Sequence, residues 1–513
     1  MAEPGPSGAA DSRPRTVALL GGGVIGGGWA ARFLLNGADV RLYDPAPGAA
    51  RAVGEVLENA RRAYGRLTHV PLPPEGGLTL VATPEEAVAG ADFVQESAPE
   101  REALKRELLA AASGAAAPGA VIASSTSGLQ PSRLQADMTG PERLCVGHPF
   151  NPVYLLPLVE VCGGAATAPA TLARAAAVYE SVGMRPLTLR REVDAFVADR
   201  LLEALWREAL WLVADDVATV EEVDDAIRFG AGLRWAVMGT FLTYRIAGGE
   251  AGMRHFLAQF GPALQLPWSR LTEVPPLTDE LLEKLVAQSD AQAAGRSTRE
   301  LERMRDDCLV SLLQALRTHG VGAGAVLERY ERALLGAGDV AAGAVLDGAI
   351  PAPLRLHAAE VRPEWVDYNG HAHESRYLQV FGDATDALLR VLGVDADYLA
   401  AGGSYYTVET HLSHLGQARA GDRLQVETTL LGHDEKRLHL FHALHRGDDR
   451  APVATAEQML LHVDTAAERA APARPEVLAR LDRIAAAHAA LPRPERVGRA
   501  IRPPAAPGVS RPR

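Results

Sequence analysis

The chain has 513 residues, 47% of them hydrophobic, and a formal charge of −12, which is enough for two or three domains with full cores and argues against a disordered chain. Lysine occurs only at Lys105, Lys284 and Lys436, so the positive charge is almost wholly arginine; the acidic balance argues against nucleic acid or an anionic membrane, whose phosphates must be neutralised on binding. Three dispersed cysteines, Cys145, Cys162 and Cys308, lack CxxC spacing and make a reducing compartment, the cytoplasm, the expected location.

Residues 1–15 are rich in Pro, Gly and Ala and are expected to be disordered. They lack an apolar core of the export type, and no run of about 18 apolar residues follows, so neither export nor a membrane span is expected. From Thr16, TVALLGGGVIGGGWAARFLLNGADVRLYDP reads as strand, glycine turn, helix and a second strand ending at Asp44, half of a doubly wound sheet. LTLVA, ADFVQE, AVIASST, RLCVGHPF and PLVEV continue the strands of an α/β Rossmann domain over 16–190. Thr83-Pro84-Glu85-Glu86 carries the cap, first-turn proline and third-position carboxylate of a helix start.

An all-helical domain is expected over 191–335, a helical substrate and dimerisation domain, with Thr219 and Glu222 capping one of its helices. GAGDVAAGAVLDGAIPAP, 336–353, reads as a linker. Over 354–500 a strand, a helix (SRYLQVFGDATDALLRVLG) and the alternating runs YYTVETHLSHL, RLQVETTLLGHD, RLHLFHALHR and VATAEQMLLHV predict an antiparallel sheet wrapped on a helix, an α+β domain. PEVLARLDRIAAAHAAL predicts one more helix, and 501–513 a disordered tail.

Gly21, Gly23 and Gly26 form GxGxxG between strand and helix, with Gly22, Val24 and Ile25 inside the motif. There the backbone can approach a pyrophosphate at a helix N-terminus. Asp44 ends the next strand, where a carboxylate accepts from both ribose hydroxyls and repels a 2′-phosphate, so NAD is expected rather than NADP. A structural glycine turn, or FAD, are the alternatives.

SSTSGLQ, GHPFNP and LVEV then supply a hydroxyl, an imidazole and a carboxylate: Ser127, His148 and Glu160. A histidine at the carboxyl edge of such a sheet suits removal of a hydroxyl proton as hydride leaves the same carbon; a structural histidine is the alternative. These motifs and their intervals closely resemble the 3-hydroxyacyl-CoA dehydrogenase family over about residues 16 to 320. The resemblance implies that Ser127, His148 and Glu160 carry alcohol oxidation and that Glu100 and Lys105 help bind NAD. It also exposes a departure: where the family has asparagine in its N-R-L-L motif, this chain reads FVADRLL, with Asp199. A carboxylate there favours a cationic substrate. Trp235, Phe241 and Tyr244, in FGAGLRWAVMGTFLTYR, are either core or faces for a quaternary ammonium group. With GGGVIGGGWAARF and ADRLLEALWREALWLV, they bring the chain nearest to the carnitine-oxidising members of that family, implying L-carnitine as substrate.

WVDYNGHAHESRY, Trp365 to Tyr377, holds a second constellation. A metal at His371 and His373 would need a third ligand at recognisable spacing, and none follows; His411, His414, His439 and His442 fall on strands that scatter them between faces. The region resembles the hotdog-fold acyl-CoA thioesterases of the 4-hydroxybenzoyl-CoA type, in which an aspartate precedes a Gly-His pair and the central helix. It implies Asp367 as nucleophile or as base for water, with Gly370 and His371 shaping the turn, while His373 and Glu374 start the helix. Joined to a carnitine dehydrogenase, the expected thioester is betainyl-CoA. The alternative is a 3-hydroxyacyl-CoA or L-gulonate type of dehydrogenase with a thioesterase of other specificity. Both families imply a homodimer or higher homo-oligomer.

Overall fold

The structure, a computed structural model, describes residues 12–501 except 69, 248–249, 251, 261–268, 270–275, 277, 347, 362–364, 448 and 450. The ends expected to be disordered, 1–15 and 501–513, lie outside the described residues apart from 12–15 and 501. The last residues before the first strand are held, Arg15 N–H donating to Asp92 Oδ2 at 2.9 Å. The chain divides into two compact units between Leu334 and Leu335.

The first unit is built on β1 (Thr16–Leu20), α1 (Val24–Leu35), β2 (Asp39–Tyr43), α2 (Ala49–Leu67), β3 (Leu78–Val81), α3 (Pro84–Val88), β4 (Phe93–Glu96), α4 (Glu102–Ala115), β5 (Val121–Ser124), α5 (Pro131–Leu134), β6 (Leu144–Pro149), β7 (Leu158–Gly163), α6 (Pro169–Ser181) and β8 (Arg185–Thr188). Its sheet runs β3-β2-β1-β4-β5-β6-β7-β8, with β6 and β7 antiparallel and every other neighbour parallel. The order reverses between β1 and β4, which opens a crevice at their carboxyl ends. β4 and β5 are buried throughout, as covered parallel strands require. Trp29 stacks on Phe33 at 5.7 Å and tilts onto Tyr179 at 5.2 Å, while Phe93 meets Tyr179 edge-on at 5.5 Å; each such pair adds about 0.5–1.5 kcal/mol beyond area burial.

The Thr83 cap forms as expected, its hydroxyl accepting from Glu86 N–H at 3.2 Å, but Glu86 returns to Ala82 N–H rather than to the cap residue itself. β8 was not expected. Its sequence, RPLT, contains a proline and is mostly exposed at the sheet edge, so it shows neither an apolar run nor alternation.

Helices follow: α7 (Ala198–Ala214), α8 (Val220–Ala226), α9 (Gly232–Ala247), α10 (Gly252–Phe260), α11 (Asp279–Ala293), α12 (Thr298–Thr318) and α13 (Gly322–Ala344). They were expected to form a domain with its own core. Instead Val310 and Leu313 of α12 and Leu327, Tyr330 and Leu334 of α13 join the core that holds Trp29 and Tyr64. Tyr154 OH donates to the buried Asp306 at 2.5 Å, and Tyr330 OH to Asn36 at 2.9 Å. By contrast α7 to α10 leave large apolar side chains in the open, among them Leu201, Trp206, Leu233 and Phe241. α13 continues to Ala344 and so takes up the first half of the segment expected as a linker; the alanines there are strong helix formers, and they outweigh the interspersed glycines.

The second unit contains β9 (Leu354–Glu360), α14 (Glu374–Val391), α15 (Ala396–Ala400), β10 (Gly403–His414), β11 (Arg423–His433), β12 (Arg437–Arg446), β13 (Ala454–Asp464), β14 (Arg469–Ala470) and α16 (Pro475–His488). Its sheet is antiparallel, ordered β10-β13-β12-β11-β9 with β14 on β13. α14 buries Tyr377, Val380, Phe381, Ala384, Leu388 and Val391, a helical stripe that faces the sheet. A long helix held in one antiparallel sheet is the hotdog arrangement.

Its core includes one polar cluster. His442 is fully buried: Nδ1 lies 2.9 Å from Thr428 Oγ1, and Nε2 lies 3.1 Å from both Thr385 Oγ1 and Gln458 Oε1. With Gln458 Oε1 as acceptor, Nε2 carries the proton and Nδ1 accepts from Thr428. Burial pushes the imidazole pKa down to about 4, so the ring is neutral near pH 7. His439, three residues earlier on β12 and so on the opposite face, meets Glu457 at 2.9 Å.

Candidate active sites

In the first unit the glycine turn follows β1. Gly21 has φ +106°, a left-handed conformation that glycine adopts freely, and a Cβ there would lie 2.7 Å from Ser97 O. A Cβ at Gly26 would lie 1.9 Å from Gly21 O, so only glycine lets α1 start this close to the strand, whereas Gly23 has nothing within 4 Å of its Cβ position. The turn is thus closed on the protein side and open outward at Gly23, the N-cap of α1. That shape, with exposed Val24 beside it, suits a dinucleotide pyrophosphate at the positive end of the helix. Asp44 accepts from Gly22 N–H at 2.6 Å and from Ala46 N–H at 2.7 Å, so the carboxylate assigned to the ribose also braces the turn.

Glu100 takes hydrogen bonds from the Thr126 hydroxyl and from Ser127 and Gly128 N–H, at 3.1 and 3.3 Å. It thereby fixes the loop after β5 that carries the exposed Ser127. Lys105, the other residue expected near the cofactor, is buried. Its ammonium lies 2.9 Å from Glu96 Oε1, 2.9 Å from Ala98 O and 3.4 Å from Glu100 Oε2, and its side chain is 1% exposed. These contacts let it position Glu100 and the loop after β4.

His148 and Glu160 face each other directly across the antiparallel pair β6 and β7. His148 Nδ1 donates to Glu160 Oε2 at 3.0 Å. Glu160 Oε1 accepts from Val197 and Ala198 N–H, both at 2.9 Å. Burial alone would raise the Glu160 pKa, but the hydrogen bonds from His148 and these two N–H groups outweigh it and hold the group below the usual carboxylate range. An ionised Glu160 fixes the tautomer with the proton on Nδ1, leaving Nε2 as the basic atom.

The two N–H groups reach Glu160 through a turn that sequence reading missed. Ala195 and Phe196 have φ of 57° and 50°, a left-handed conformation costing of order 1–3 kcal/mol for each non-glycine residue. Phe196 is fully buried, its ring 5.8 Å from that of His148, and Phe150 of the HPFNP motif lies 4.8 Å away on an edge. The turn launches α7, whose second residue, Asp199, places Oδ2 3.6 Å from His148 Nε2. Burial, opposed by His148 and assisted by Glu160, Glu203 and Glu100, raises the Asp199 pKa.

The aromatic residues expected to meet the substrate lie on an exposed helix face. Trp235, Phe241 and Tyr244 are 40%, 82% and 45% exposed on α9, and Tyr244 stacks on Phe256 at 4.7 Å. They are therefore not core, and among the described residues the rings in contact with His148 are those of Phe150 and Phe196.

In the second unit, Asp367, Asn369, His371, Ala372, Glu374, Tyr377, His414, Gly416 and Gln417 line an open cavity of about 540 Å³. Asp367 Oδ1 accepts from Asn369 N–H at 2.8 Å, and Gly370 N–H donates to Asp367 O at 3.0 Å. Gly370 sits at φ +78°, where the turn calls for glycine. His373 is the N-cap of α14, its Nδ1 accepting from Ser375 N–H at 3.3 Å, as expected for a helix-start residue. His414, from the end of β10, and Tyr377 meet edge-on at 5.0 Å; His414 was noted only as a strand histidine, because β10 approaches the turn from more than thirty residues away in sequence.

The chain matches the family described as 3-hydroxyacyl-CoA dehydrogenase, NAD binding domain, over residues 16–193, and the corresponding C-terminal domain over 196–288. It matches the thioesterase-like superfamily over 361–481. A protein of Rhizobium meliloti (strain 1021) named L-carnitine dehydrogenase/betainyl-CoA thioesterase is 55% identical over 489 residues, covering 94% of this chain and 98% of its own. A Pseudomonas aeruginosa protein named L-carnitine dehydrogenase is 59% identical over 303 residues, 59% of this chain and 94% of its own. Among solved structures, the NAD-dependent 5-dehydrogenase of 5-formyl-3-hydroxy-2-methylpyridine 4-carboxylic acid superposes with a TM-score of 0.51 at 30% identity, covering 59% of this chain and 98% of its own.

Proposed function

Because this chain belongs to the family of L-carnitine dehydrogenase/betainyl-CoA thioesterases, we propose that its first unit oxidises L-carnitine to 3-dehydrocarnitine with NAD and its second hydrolyses betainyl-CoA to glycine betaine and coenzyme A. The observation that carries the first activity is the His148–Glu160 pair, with both Glu160 oxygens committed and Nε2 left as the basic atom. His148 takes the hydroxyl proton at Nε2, and Glu160 stabilises the imidazolium that forms. Ser127, on the loop held by Glu100, hydrogen-bonds the substrate oxygen. NAD, bound at Gly21–Gly26 and Asp44, supplies the hydride acceptor.

In the second unit Asp367 attacks the thioester carbonyl or activates water, and the start of α14 borders the same cavity, where its N–H end favours the developing oxyanion. His371 lines that cavity beside Asp367. Purified protein should produce NADH absorbance with L-carnitine and hardly any with 3-hydroxybutyryl-CoA; the reverse preference overturns the substrate assignment.

The functional form is a homodimer or larger homo-oligomer in the cytoplasm. Exposed apolar side chains on α7 and α9, including Leu201, Leu205, Trp206, Phe241 and Ile246, support self-association there. Sedimentation equilibrium should give at least twice the 54.4 kDa chain mass, and a monomer at micromolar concentration overturns this reading. The three cysteines are free thiols, which suits the reducing compartment.

A further inference from the structure

We infer that Asp199 is the counter-ion for the substrate's quaternary ammonium group and that, by fixing this arm beside His148, it selects the enantiomer that reacts. The inference rests on the dehydrogenase reading above and adds a residue-level account of its specificity. His148 Nδ1 is committed to Glu160, and Nε2 makes no hydrogen bond among the described residues. The nearest charged group is Asp199 Oδ2, 3.6 Å away. A carboxylate and a basic ring nitrogen are both acceptors, so with His148 neutral nothing in the chain joins them. Asp199 has no lysine or arginine partner among the described residues, and the neighbouring Glu160, Glu203 and Glu100 make its surroundings more negative. Its place in the first turn of α7 suits a carboxylate in any case; its aim at the basic nitrogen is not required by that.

L-Carnitine supplies what this arrangement lacks. Its hydroxyl and ammonium groups stand on adjacent carbons, so a hydroxyl hydrogen-bonded to Nε2 brings the ammonium within a few ångströms of Asp199. The trimethylated nitrogen has no N–H, so recognition must be by charge and contact, without a hydrogen bond. Chirality follows from what is then fixed. The hydride on the carbinol carbon must face the cofactor, the hydroxyl faces His148, and the ammonium arm faces Asp199, which leaves the carboxylate arm one remaining direction. In D-carnitine, with hydride and hydroxyl kept in place, the two arms exchange and a carboxylate meets Asp199.

The test is Asp199→Asn in the full chain, with L-carnitine, D-carnitine and the uncharged-arm isostere 3-hydroxy-5,5-dimethylhexanoate as substrates. The ratio of kcat/KM for L-carnitine over the isostere should fall on the order of 10²-fold, mainly through KM, and the L-over-D preference should fall with it. Asp199→Glu, which keeps the charge, should restore much of both ratios. If both ratios in Asp199→Asn equal those of the wild type while kcat drops for every substrate, Asp199 acts through His148 and the assignment is wrong. Wild-type protein that does not oxidise L-carnitine at all overturns the functional reading, and this assignment with it.

Discussion

Oxidation of L-carnitine by the His148→Asn variant should fall roughly 10³-fold, within the usual range for losing a general base, while betainyl-CoA hydrolysis keeps its wild-type rate. Asparagine is the informative replacement. Its side-chain amide can occupy the position of Nδ1 and keep the donor to Glu160, which now sits at 3.0 Å, so the buried carboxylate is not left unpaired. What disappears is Nε2. An alanine would confound the two effects, because an unsatisfied buried carboxylate costs several kcal/mol by itself. The measurement is kcat from NADH absorbance beside thioester cleavage followed with a thiol reagent. Loss of both activities in a folded protein would mean that the two sites are not independent.

The Asp367→Asn variant should show the reverse, with hydrolysis down at least ~10²-fold and carnitine oxidation intact. The asparagine oxygen can still accept from Asn369 N–H, the 2.8 Å bond that closes the turn, so the loop keeps its shape. It can neither attack a thioester nor take a proton from water. A single turnover in ¹⁸O-labelled water, with hydroxylamine trapping, separates the two roles left open for the wild type: label in the Asp367 carboxylate or a trapped acyl-aspartyl anhydride identifies a nucleophile, and label only in glycine betaine with nothing trapped identifies a base. Hydrolysis at the wild-type rate in the variant would move the chemistry to the other carboxylate of the cavity, Glu374.

What was legible in the sequence was local. Gly21 to Gly26 announce themselves because their spacing sits directly between a strand and a helix, and HPFNP because His148 and Phe150 lie on one short stretch. The alternation of β11 and β13 and the stripe of α14 were equally plain, since burial there follows the periods of two and of 3.6. What stayed hidden depends on distant partners. The left-handed turn at Ala195 and Phe196 follows from the hold of Glu160 on Val197 and Ala198, more than thirty residues away. The burial of Lys105 depends on Glu96 and on the packing of α4 against the sheet. Trp235, Phe241 and Tyr244 look like a cage or a core in sequence, and only the packing of α9 shows them on the surface.

The polar cluster around His442 bears on how the second unit finds a single arrangement. Thr428, His442 and Gln458 come from β11, β12 and β13, and Thr385 from the helix they enclose. Apolar side chains alone would tolerate a strand slipping by two residues, because the same faces remain buried. With this cluster such a slip parts a donor from its acceptor in a region without water, at about 1–3 kcal/mol for each group left bare. The cluster therefore adds little net stability to the correct fold while penalising its near neighbours, and the helix that borders the Asp367 cavity is held at one rotation and one depth.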